Sequence, residues 1–253
     1  MGNRHRLSEI DNCNMNKIIS FLIIVFSILP VFAGTYSLKS YDNFDRNSLS
    51  GNNSEKILFI LDYSNSMTEL LENKTKYELM VDTIRKIIPS INPSVMVGLR
   101  VYGHKMGFTP IDACKASTLA VPLQSNNAGN ILSGVEKYRP SGMTPITYSL
   151  KQAVLRDFIG FKGDKRIVLL TDGGENCDES PCEYVMNLIK LRKDIHIDVI
   201  AFNIKDREDL EQLKCTALVT SGKFYNPTTS AELIRSFNQS LSKEKRVEAK
   251  ILP

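Results

Sequence analysis

Tryptophan is missing altogether and histidine occurs three times in 253 residues, which leaves little for an indole stacking platform or an imidazole-rich metal centre. Charge of one sign is scarce too: 32 basic against 28 acidic residues give a formal +4, spread along the chain with no basic stripe interleaved with aromatics. That excludes nucleic acid as the main partner. There is no internal repeat, no low-complexity block, no nucleophile elbow G-x-S-x-G and no phosphate-cradling G-x-x-x-x-G-K-[ST]. Asp62-Tyr63-Ser64 lacks the second acid that a phosphotransferase loop with an aspartyl nucleophile carries two residues on. A hydrolase or phosphotransferase is therefore the least favoured class, and the chain is expected not to be an enzyme. What is present is apolar material, 42% of residues, enough to bury a full core.

Ile18 to Ala33 is nearly all apolar, follows Lys17 and ends in Val31-Phe32-Ala33, with small residues where a signal peptidase needs them. Residues 1–33 read as a signal peptide cut after Ala33, with Met15 as an alternative initiator. The apolar run is about 16 residues and contains Pro30, short of the roughly 20 that a membrane span needs. A secreted, periplasmic or envelope location follows, and an N-terminal anchor, with membrane contact, only if the leader stays uncleaved. Residues 34–54 turn to Ser, Asn, Asp, Tyr and Gly without apolar period, as a flexible linker does. Residues 55–243 form the folded domain, and 244–253 a charged tail.

Inside the domain, continuous apolar runs at 56–61 and 167–170 have the pattern of strands buried on both faces. Alternation at 94–102 predicts another strand, and 118–121 an edge strand that Pro122 ends. Further strands are expected at 195–202 and 223–225, and helices at 76–88, 127–137, from Pro145 as the first helical residue, at 183–193, 206–220 and 229–241. Strands alternating with helices imply an α/β fold, a doubly wound, mostly parallel sheet with helices on both faces and its binding crevice beyond the strand carboxyl ends.

Asp62, Ser64 and Ser66 put three oxygens on alternate residues where the first buried strand stops. Thr144, before Pro145, and Asp172, in Thr171-Asp172-Gly173-Gly174, offer two more. One by one these have ordinary readings: serines that cap a turn, a threonine N-cap, an Asp-Gly turn. Together they are an all-oxygen set for a hard cation, and no His or Cys belongs to it. This pattern resembles the metal-ion-dependent adhesion site of von Willebrand factor A domains, over roughly residues 55 to 243, with Asn65 where many members have Gly. The resemblance implies a Rossmann-like fold with one antiparallel edge strand. It also implies Mg²⁺, with Mn²⁺ or Ca²⁺ as substitutes, held by Asp62, Ser64, Ser66, Thr144 and Asp172. A protein partner would supply an Asp or Glu oxygen to it. The expected function is a secreted, metal-dependent adhesion-type module; the alternative is an accessory subunit of an envelope assembly whose cation orders the loops.

Once the leader takes Cys13, four cysteines remain, with three possible pairings in an oxidising compartment. The sequence-local choice, Cys177 with Cys182, would join Cys114 to Cys215 across the reversal of the sheet. Topology favours Cys114–Cys177 across the rim and Cys182–Cys215 between adjacent helices. His104, on a loop at the metal end, is a candidate for the ligand rim, as are Glu175 and Asn176, whereas His196, at a strand start, reads as structural.

Overall fold

The computed structural model describes residues 55–242. The expected leader, linker and charged tail lie outside the described residues.

The first apolar run forms β1 (Lys56–Asp62), every residue of which is buried. It lies mid-sheet between β4 (Met96–Tyr102) and β6 (Lys165–Thr171), parallel to both. Beyond β6 come β7 (Ile195–Ala201) and the two-residue edge β8 (Phe224–Tyr225), again parallel. Beyond β4 lies β5 (Ser117–Gln124), the antiparallel edge, so the order is β5-β4-β1-β6-β7-β8. The direction of winding changes between β1 and β6, which places the carboxyl ends of β1 and β6 side by side at the switch point.

Side chains alternate along β1 and feed two cores. Ile57, Phe59 and Leu61 pack with α1 (Lys76–Ile87), α3 (Ala128–Glu136) and α7 (Ser230–Leu241), through Met80, Ile84, Ile131, Val135, Leu233 and Phe237. Leu58 and Ile60 face α4 (Ile146–Gln152), α5 (Pro181–Leu188) and α6 (Arg207–Val219), through Leu150, Val185 and Leu213. The unbroken apolar run Ile57 to Leu61 is what a strand covered on both faces requires.

Four local features differ from expectation. β5 runs through Pro122 to Gln124, because on an edge strand a missing N–H costs no ladder bond, and register shifts opposite Val97 to Arg100 absorb the irregularity. A small ribbon, β2 (Leu70–Leu71) with β3 (Lys74–Thr75), escaped the sequence because its turn uses Glu72 and Asn73 at φ 52° and 64° in place of glycine. A short helix, α2 (Pro110–Ala113), opens on a Thr109 cap. Pro145 is the residue before α4, not its first, and five residues of π-helix (Ala153–Asp157) continue that helix.

Both disulfides follow the topology-favoured pairing. Cys114–Cys177 ties the end of α2 to the loop after β6, and Cys182–Cys215 joins α5 to α6, with Cα separations of 5.5 and 5.4 Å. No helix among the described residues is long and apolar enough to cross a membrane.

Candidate metal centre

The loop after β1 is organised by what it buries on either side. Tyr63 and Met67 turn into the α1 face of the core, and the Tyr63 hydroxyl donates to the Val135 carbonyl at 2.7 Å. With Tyr63 so anchored, the polar residues on either side of it, Asp62 and Ser64, are themselves buried. The Ser64 hydroxyl does not cap the 3₁₀ turn that follows it (Asn65–Thr68); it stands 3.0 Å from the Ser66 hydroxyl. Ser66 in turn donates to Asp172 Oδ1 at 2.6 Å. Asp62 Oδ1 accepts the Ser64 N–H at 2.6 Å, and Oδ2 accepts the Thr171 hydroxyl at 2.8 Å. Four of the five expected residues are thus joined by one run of hydrogen bonds across the switch point.

Thr144 arrives by its backbone. The Asn65 N–H donates to the Gly142 carbonyl at 3.0 Å, and Ser64 and Gly142 form an isolated parallel bridge. Gly103, at φ +71°, lets this happen: a Cβ there would lie 2.6 Å from the Ser64 nitrogen and 2.7 Å from the Met143 oxygen. Three loops therefore close on one another through bare backbone. Thr144 is buried and its N–H is held by Asn176 Oδ1 at 2.7 Å; it is not the N-cap of α4, since Pro145 occupies that place.

Glu175 and Asn176, expected at a ligand rim, spend their oxygens on this loop. Glu175 accepts the N–H groups of Thr147 and Cys177 at 2.7 and 3.0 Å, so the pair braces the segment that carries Thr144. Burial pushes the Glu175 carboxyl up from its ordinary range. His104 is half-buried, its Nε2 3.1 Å from the Thr118 hydroxyl and its ring edge-on to Tyr138. Burial, and then the charge of Lys105, hold its pKa down to about 4. His196 is structural, with Nδ1 2.9 Å from the Thr220 carbonyl.

Two participants were not legible beforehand. Thr171 fixes Asp62, as above. Lys76 is buried, 5% exposed, and donates to Asp172 Oδ2 at 2.9 Å and to Glu69 at 2.7 Å. It is the first residue of α1, where a cation opposes the helix dipole, and that misplaced charge was the available signal.

The electrostatics express the crowding. Burial, then the neighbouring Asp172 charge, raise Asp62 to about 7. Burial also raises Asp172, while Ser66 and Lys76 pull it back. Burial alone would push the Lys76 ammonium down; the hydrogen bonds it donates to Glu69 and Asp172 more than reverse it. Two buried carboxylates, both raised by burial and flanked by hydroxyls, fit a hard cation. No group of three or more His, Cys, Asp or Glu side chains gathers among the described residues, as a softer metal would ask.

The family model of the von Willebrand factor type A domain matches residues 56–239. This chain belongs to that family. Among curated relatives of this von Willebrand A domain protein are two uncharacterized proteins of Bacillus subtilis. YwmC is 28% identical, covering 72% of this chain and 81% of its own, and YwmD 24% identical, covering 74% and 84%. Among solved structures, BatB from Bacteroides thetaiotaomicron superposes with a TM-score of 0.56 at 17% identity, covering 74% of this chain and 98% of that one. A mussel byssus protein, proximal thread matrix protein 1 with a zinc-occupied MIDAS motif, gives 0.57 at 21% identity, covering 74% and 44%. At these identities the structural matches establish the shared fold of the von Willebrand A domain.

Proposed function

We propose that this von Willebrand A domain is a secreted, non-enzymatic binding module that engages an acidic side chain of a protein partner through a divalent cation, Mg²⁺ in the first instance. Asp62, Ser64, Ser66, Thr144 and Asp172 would hold the cation, which supplies a Lewis-acid contact for an anionic oxygen. The observation that carries this reading is the run of hydrogen bonds joining Asp62, Ser64, Ser66 and Asp172 at the switch point. Neutral hydroxyls make up most of the donors, so a bound cation keeps much of its charge and favours one more carboxylate. Glu175 and Asn176 hold the Thr144 loop in register with the other two. The two disulfides agree with an oxidising compartment, and the leader read from the sequence supplies a route to it.

Calorimetric titration with Mg²⁺ tests the site. Wild type is expected to bind, Asp62→Ala and Thr144→Ala to lose binding while staying folded, and unchanged titrations in both variants would defeat the assignment. Pull-down of an acidic partner with and without EDTA then tests the use to which the cation is put.

A further inference from the structure

Lys76 is an odd resident for a cation site. It brings a positive charge to within hydrogen-bonding distance of Asp172, a residue that would hold the metal, and it does so while buried at the start of a helix. Its aliphatic stem is covered and its ammonium is clamped from the other side by Glu69, so it is fixed in place rather than swept by solvent.

The clamp decides which oxygens are open. On Asp172, Oδ2 belongs to the ammonium, and Oδ1 faces the Ser66 hydroxyl and thus the rest of the cluster. On Asp62, the Ser64 N–H takes one oxygen and the Thr171 hydroxyl the other. A cation that chelated Asp172 through both oxygens would have to share Oδ2 with an ammonium, against charge repulsion. Asp172 is therefore placed to give a cation one oxygen, Oδ1, rather than the pair. Ca²⁺ takes six to eight oxygens and commonly gains some of them from bidentate carboxylates, whereas Mg²⁺ takes six, one from each ligand, and retains waters.

Resting on the metal-site reading above, we propose that Lys76 is the specificity-determining residue of this centre, holding Asp172 monodentate so that the site takes Mg²⁺ or Mn²⁺ in preference to Ca²⁺. A structural ion pair would lend stability only; this one also sets the denticity of a ligand. Glu69, exposed and reaching in from the loop before β2, keeps the ammonium pointed at Oδ2.

The test is a pair of calorimetric titrations, Mg²⁺ and Ca²⁺ alone, on the full chain and on Lys76→Met, which keeps the length and apolar stem and removes the charge. Wild type is expected to prefer Mg²⁺ by about tenfold or more, and in Lys76→Met both affinities rise, Ca²⁺ by the larger factor, so that the preference shrinks to about unity. Lys76→Gln carries the same expectation should the methionine variant not fold. If wild type shows no preference for Mg²⁺, or if both cations gain by the same factor or by none, the specificity role of Lys76 is overturned while the metal site stands. If wild type binds neither cation, the metal site itself falls and Lys76 with it.

Discussion

Among the described residues two cation–carboxylate pairs are buried on both sides, and they are built to opposite ends. Arg100 and Asp157 are closed on each other: Nε and Nη2 of the guanidinium take both carboxylate oxygens at 2.6 and 2.7 Å, and the remaining Nη1 donates to Ser117. Lys76 and Asp172 are open: the lysine takes one oxygen, a serine hydroxyl the other, and a second buried carboxylate raises the local charge. The first pair fastens β4 to the end of the π-helix that continues α4. The second leaves its acid incompletely neutralised at the mouth of three loops. A saturated pair holds structure, and on the function proposed above the unsaturated one holds a place for a ligand.

The sharpest way to break the contrast is to remove one member of the closed pair. Arg100→Met leaves Asp157 buried without its counter-charge and is expected to cost about 3–5 kcal/mol in denaturant unfolding, with Mg²⁺ affinity unchanged in whatever fraction stays folded. Loss of less than about 1 kcal/mol would show that water replaces the guanidinium there. Next, Cys114→Ser with Cys177→Ser opens the tie that holds the loop of Glu175 and Asn176, for about 2–4 kcal/mol. Mg²⁺ affinity should drop as well, since Thr144 is held through that loop.

In the open pair the same kind of change should do little to the metal-free fold. Asp172→Asn relieves a carboxyl that burial already raises, so its unfolding free energy is expected to stay within about 1 kcal/mol of wild type. The difference is expected on adding Mg²⁺, which should raise the melting temperature of wild type by mass action and leave the variant where it was.

The smallest effect concerns His104, at the edge of the open region. Its folded pKa of about 4 lies below the roughly 6.5 of an exposed imidazole, so between those values the unfolded chain takes up a proton that the folded chain refuses. Stability should fall as pH drops through that window, and His104→Asn should flatten the slope in melts at pH 6.5 and 4.5.

How much of this was written in the sequence differs between the two pairs' surroundings. β1 and β6 announce themselves as continuous apolar runs, and the alternate oxygens of Asp62, Ser64 and Ser66 are visible because a strand end fixes their direction. Lys76 was hidden because helical periodicity marks Tyr77, Met80, Val81 and Ile84 as the buried face and gives no reason to bury a lysine beside them. Its burial depends on Glu69 and Asp172, one from the loop before and one from across the sheet. Glu175 and Asn176 were read as rim groups because a loop sequence does not reveal which backbone N–H groups lie within reach. Pro122 was read as a stop because edge strands accept proline by geometry that emerges only once the neighbours are known.

That same edge has a bearing on how the molecule behaves in a crowd. At one margin of the sheet a proline and register shifts interrupt the outermost strand, and at the other the last strand is two residues long. Among the described residues neither margin presents the long, flat row of free amide groups on which a second chain could template itself into a growing fibril. Self-association by strand addition is disfavoured at both margins, which leaves the loop-bearing end free to choose partners by their chemistry.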